Sequence, residues 1–179
     1  RMKLFFFAAL AVLLLLATIF AKQLCPYDPY AQDLAQAMKP PSAAHLMGTD
    51  TYGRDMFSRV LIGAQTSISS TFALVAIITV FGTFVGVVCG YYGGRVDALV
   101  MRLSDLCLAF PGLVFAMAVA AILNGGVQNA VIALALISWP KYSRIARSQT
   151  LSMKSLPYMQ AAQLAGDSAL QMILRHVLP

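Results

Sequence analysis

Side chains able to do chemistry are few in this sequence, and their scatter narrows what it can do. The seven acidic residues are all aspartates. No paired carboxylates and no Ser/His arrangement converge in the pattern that acid–base or nucleophilic catalysis needs. His45 and His176 have no nearby partner ligands, and Cys25, Cys89 and Cys107 are too widely spaced for a metal site or a disulfide framework. Two of the thiols lie in or near apolar stretches, where cysteine acts as a small hydrophobe. The richest stretch is Gly48-Thr-Asp-Thr-Tyr-Gly-Arg-Asp55, whose two glycines have the separation found in a phosphate-binding loop. Such a loop continues with Lys and then Ser or Thr. Here Arg54 and Asp55 follow, and a carboxylate at that place repels phosphate and supplies no hydroxyl. The nucleotide reading is rejected in favour of a turn whose aspartates cap backbone amides, leading into a helix from about Met56.

The elements that must carry these residues are mostly apolar. Of 179 residues, 59% are hydrophobic and 11% charged, far too little charge to cover a soluble domain of this length. Four apolar runs approach or reach the ~20 residues that cross a bilayer as a helix. The expected fold is therefore an all-α integral membrane protein with about four transmembrane helices.

The first run, residues 1–21, starts behind Arg1 and Lys3 and is uncharged from Leu4 to Ala21. It ends at Lys22-Gln-Leu-Cys25 rather than at small residues, which argues for a retained helix over a signal peptide. Residues 22–65 form a polar loop whose prolines at 26, 29, 40 and 41 impose extended, irregular chain on its first half. The second to fourth helices are expected within 66–149. Thr66 to Tyr92 carries no charge, and Gly82, Gly86 and Gly90 recur every four residues on one face. In lipid such a ridge lets another helix approach closely. Gly90-Tyr-Tyr-Gly-Gly-Arg-Val-Asp97 reads as a tight turn into a third segment from Ala98 to about Leu123. In it Arg102 and Asp105 are placed to pair one turn apart. Pro111-Gly112 is expected to kink or weaken that helix, serving either a gate or plain packing. After the turn Asn124-Gly-Gly126, the fourth segment runs from Val127 to about Trp139. Trp139 and Tyr142 suit an interfacial belt. Pro140 leaves open whether Lys141, Arg144 and Arg147 extend this helix or mark its end.

Residues 150–179 have helical character on both sides of Gly166. Tyr158, Ala161, Ala162 and Ala165 form a face of mainly small residues, and Leu170, Ile173, Leu174 and Val177 repeat the spacing with large ones. Gly166 fits the end of the first helix, while Asp167 and Ser168 can cap the second. Two short helices with a sharp joint are expected, either gripped by another protein or lying as a hairpin on the membrane surface.

Charge sets the orientation. With the N-terminus in the cytoplasm and four crossings, Arg1, Lys3, Arg95, Arg102, Lys141, Arg144, Arg147, Lys154 and Arg175 lie inside, against Asp97, Asp105 and Asp167. Outside, Lys22, Lys39, Arg54 and Arg59 cancel Asp28, Asp33, Asp50 and Asp55, so the whole net charge of +6 is internal. This obeys the positive-inside rule and makes the tail cytoplasmic. No groove or finger spacing supports nucleic-acid binding.

Taken together, Gln160-Ala161-Ala162, then Gly166, Ile173, Arg175-His176 and Leu178-Pro179 resemble the cytoplasmic signature of permease subunits of binding-protein-dependent ABC importers. The family pattern is Glu-Ala-Ala, Gly and Leu-Pro, so Gln160 departs from it. His45-Leu-Met-Gly-Thr-Asp-Thr-Tyr-Gly-Arg-Asp55 with Ser58-Arg59, Gly90–Asp97, and Met101-Arg-Leu-Ser-Asp105 with Ala109-Phe-Pro111 are similar to the dipeptide, oligopeptide and nickel branch. The resemblance implies about six spanning helices, and hence a chain lacking the last two. It further implies an inner-membrane protein with no chemistry and no cofactor of its own. Its partners would be a second permease subunit (a heterodimer), two ATPase subunits that bind ATP and Mg, an extracytoplasmic substrate-binding protein, and lipid. Coupling roles fall on Gln160, Ala161, Ala162 and Gly166, with Ile173 and Leu178; Leu170 and Leu174 add apolar anchors for a helix-in-groove contact. A secondary carrier driven by an ion gradient is the alternative, but Asp105 is the sole intramembrane candidate for its ionisable site.

Overall fold

The computed structural model describes residues 2–178, in two compact units, Arg1–Ser70 and Thr71–Pro179. Among the described residues there are helices and turns but no strand beyond an isolated bridge between Thr49 and Asp55.

The first unit opens with α1, Met2–Ile19, whose large apolar side chains are exposed along its length, as in a helix made for lipid. A single turn, α2 (Ala21–Leu24), ends at Cys25. From there to Asp55 the chain is irregular apart from a 3₁₀ turn, Leu34–Gln36, begun by Asp33, whose carboxylate accepts from the Ala35 amide. The prolines account for this: each removes a donor and bars helix at the preceding residue. Helix α3 starts at Met56 and continues to Tyr92.

Helix α3 has 37 residues, a length of about 55 Å, against a hydrocarbon core of ~30 Å. Arg59 is its one charged residue, and the helix expected from about Met56 starts there and runs without a break past residue 65, the expected end of the polar loop, into the apolar stretch.

In the second unit, Gly93 and Gly94 take left-handed φ values of 64° and 61°, which turns α3 into α4, Gly94–Ala109. Helix α5 is Gly112–Ile122. The two are bent by 92° at Phe110-Pro111, much more than a kink. Proline forces the residue before it out of helical geometry, and Phe110 is extended at ψ 145°. Helix α6, Val127–Lys154, passes straight through Pro140. The question left open by the sequence is thus answered: the cations extend the helix.

The four expected crossings are unevenly built. Among the described residues α3 alone is long and apolar enough to span by itself; α4 and α5 qualify only together, as a broken span or a re-entrant loop. Helix α1 falls just short, and α6 loses its apolar character at Trp139 where the cations begin.

Helix α6 is central to this unit. Ala133, Ala135, Ile137 and Trp139 are all buried; residues two apart point to opposite sides of a helix, so α6 is covered on more than one face. The Trp139 ring meets Phe81 edge-on at 5.6 Å, and Gly112 lies beside Ile137. Two ion pairs join α4 to α6: Arg147 holds Asp97 through two bonds of 2.5 Å, and Arg144 holds Asp105. Asp105 therefore pairs across helices with Arg144 rather than along its own helix with Arg102.

Candidate functional site

The tail is a small folded body. Helix α7, Pro157–Leu164, starts with proline at its first turn, where the missing N–H costs nothing. It ends in a two-bond motif: Gly166 donates to the Gln163 carbonyl and Asp167 to the Ala162 carbonyl, both at 3.2 Å. This is the Schellman arrangement, which requires a left-handed residue; Gly166 supplies it at φ 93°. Ser168 then caps α8 (Ala169–Met172) in a reciprocal box with Gln171, satisfying two orphan amides. The helix widens into a π turn over Ile173–Val177, closed by Leu178 donating to Ile173 at 3.0 Å.

Gln160, Ala161 and Gly166 are exposed, and Ala162 and Ile173 half-buried. Leu170, Leu174 and Leu178 are 65%, 55% and 47% exposed, a row of large apolar groups with no cover among the described residues. Two features were not legible in the sequence. Met159 and Met172 are buried, one in each arm. And Asp167, expected as a cap, instead meets His176, with Nε2 and Oδ2 2.9 Å apart. Aspartate and histidine nine residues apart across a joint match no helical period, so no sequence signal pointed to them.

The glycine ridge faces α6. A Cβ built on Gly82 would come 2.7 Å from Tyr142 Cβ, one on Gly86 2.3 Å from the Ser143 carbonyl oxygen, and one on Gly90 2.7 Å from Thr150 Cβ. Position numbers rise together along the contact, so α3 and α6 run parallel there. Lys154 closes the far end by donating to the Tyr91 carbonyl at 2.7 Å.

In the first unit, the motif around Gly48–Asp55 forms a knot of its own. Asp50 accepts from the Tyr52 and Arg54 amides at 2.9 and 3.0 Å and from the Arg54 guanidinium. Asp55 caps α3 through the Ser58 amide at 2.8 Å. These amides are taken by aspartates, which leaves no cradle for phosphate. His45 bridges the knot: Nδ1 lies 3.0 Å from Asp55 and Nε2 3.0 Å from the Gln36 side-chain oxygen, with Tyr27 stacked 4.8 Å away. Burial pushes the Asp55 carboxyl up, but the Ser58 amide and the His45 ring outweigh it and hold it below the ordinary aspartate range. Among the described residues no group of three or more His, Cys, Asp or Glu is placed to hold a metal ion, and all three cysteines are free thiols.

Residues 82–179, which include the ridge and the tail, match the family model described as binding-protein-dependent transport system inner membrane component. The chain is 45% identical over 171 residues to a probable D,D-dipeptide transport system permease protein, DdpC, of Escherichia coli K12, covering 96% of this chain and 57% of the relative. It is 40% identical over 174 residues to the glutathione transport system permease protein GsiD of Pectobacterium atrosepticum, covering 96% of this chain and 58% of that protein. The chain thus spans a little under three fifths of the length of these relatives.

Proposed function

Because the chain belongs to the family of binding-protein-dependent transport system inner membrane components, we propose that it is part of a permease subunit of an ATP-driven importer that moves short peptides across the inner membrane. The relatives named above belong to D,D-dipeptide and glutathione systems, which favours a peptide cargo over a nickel complex. The chain itself does no chemistry in this reading. Two ATPase subunits bind and hydrolyse ATP with Mg, a second permease subunit completes the pathway, and an extracytoplasmic binding protein delivers the cargo. The N-terminus and the tail face the cytoplasm, following the charge distribution.

The observation that carries the coupling role is the tail's geometry: two short helices at a fixed joint, with Leu170, Leu174 and Leu178 exposed. An amphipathic helix presented this way suits a groove on another protein. The ion-gradient carrier is disfavoured by Asp105, whose carboxylate is already held by Arg144.

The test is Gly166→Val in the full-length protein, assembled with its partner permease, ATPases and binding protein in nanodiscs. A β-branched residue at φ 93° is strained. Insertion is expected to be unchanged, while substrate-stimulated ATP hydrolysis and peptide uptake fall together. Uptake at the wild-type rate, or uptake driven by an ion gradient without ATP, defeats the proposal.

A further inference from the structure

We propose that Asp167 and His176 form a clasp that sets the angle between the two arms of the tail, and that this angle makes the apolar row fit its partner. The inference rests on the docking role proposed above and adds the residues that position it.

No packing against Gly166 braces the joint: nothing lies within 4 Å of the place a Cβ would occupy there. The Schellman bonds fix the end of α7 and the Ser168 box fixes the start of α8, but both act on the backbone next to the joint. Neither constrains where the far end of the second arm points. His176 does. Its Nε2 is 2.9 Å from Asp167 Oδ2 at the joint, and its ring centroid is 6.4 Å from that of Tyr158 in the first turn of α7. One side chain thus ties the end of the second arm to both the joint and the first arm. Both members are about a quarter exposed, so the bond to the carboxylate is partly sheltered from water. The charged groups nearest in sequence on the same arm are Arg175, which is exposed, and none on α7, which carries no ionisable group besides Tyr158.

Leu170, Leu174 and Leu178 project from the arm that His176 holds. Releasing the clasp leaves each helix intact and lets that row swing about Gly166. A groove that binds all three at once then recovers less of its contact, because the ordering is no longer prepaid.

The experiment uses the full-length permease assembled with its partners. A Leu174→Cys variant is first cross-linked to the ATPase subunits; absence of any cross-link overturns the docking role itself, and the clasp with it. Where the cross-link forms, His176→Leu and Asp167→Ala are each expected to lower substrate-stimulated hydrolysis about tenfold, the effect of losing one charge-assisted hydrogen bond. Basal hydrolysis stays constant. The double variant is expected to be no worse than either single one, and His176→Arg, which restores a donor to Asp167, to recover most of the stimulation. Single variants that stimulate normally, or a double variant whose loss is the product of the two, overturn the clasp while leaving docking in place. If a single variant does not assemble, Asp167→Leu, which removes the acceptor at similar volume, takes its place. Unaltered stimulation there, with unaltered amide exchange over residues 169–177, also overturns it.

Discussion

Replacing Gly86 by alanine tests the parallel contact of α3 and α6 most directly. The added Cβ would stand 2.3 Å from the Ser143 carbonyl oxygen and 2.7 Å from Ala146 Cβ, where ordinary contact begins at 3.4 Å. The first neighbour is backbone and the second has no rotamer to change, so the helices must part by about 1 Å. A gap of that size forfeits roughly a quarter to a half of the dispersion energy of each contact it opens, and overpacking of this kind costs about 1–3 kcal/mol. Gly82→Ala and Gly90→Ala are expected to cost less, since their closest neighbours lie at 2.7 Å rather than 2.3 Å. Gly63, in the same helix, has nothing within 4 Å. Its change to alanine is expected to stabilise by about 0.5–1 kcal/mol through helix propensity alone. The assay is thermal unfolding of the full-length protein in nanodiscs, run beside disulfide trapping between cysteines placed on α3 and α6. Gly86→Ala with a melting temperature equal to that of Gly63→Ala, or with undiminished trapping, would refute the close approach.

The knot around His45 gives two further expectations. His45→Ala leaves the Asp55 carboxylate, 3% exposed, without its ring partner, and loss of a buried hydrogen bond to a charged group costs about 1.5–3 kcal/mol; faster proteolysis confined to residues 25–55 is the readout, and unchanged cleavage there argues against the bridge. The knot also depends on acid. Asp50 and Asp55 are both held below the ordinary aspartate value of 3.8, so the stability they lend is complete above that value and is lost as pH falls through their lowered ones. Amide protection of residues 45–58 is expected to persist at neutral pH and to decay below about pH 4; protection already gone above about pH 5 would assign the dependence to other groups.

The sequence by itself determined what acts over a few neighbouring residues. The Gly82–Gly90 ridge is a single-helix property with a period of four. The end of α7 at Gly166, the Ser168 cap, the Asp55 cap before Met56 and the break at Pro111 all follow from side chains acting on their own backbone. The rejection of a phosphate loop followed from Arg54 and Asp55 in the same way. Tertiary structure alone decided what each of these features meets. Asp105 stands one turn from Arg102, yet Arg144 of another helix takes it, because α4 and α6 pack antiparallel and bring that guanidinium closer. Pro111 marked a break, but its 92° angle reflects where α5 finds cover beside α6. The ridge announced a close neighbour without naming α6, and His176 gave no sign that it closes on Asp167. Local propensity depends on residues already joined by the chain. The choice of partner depends on which elements folding carries within reach, and for pairs such as Asp97 and Arg147, fifty positions apart, only the packed helices supply that information.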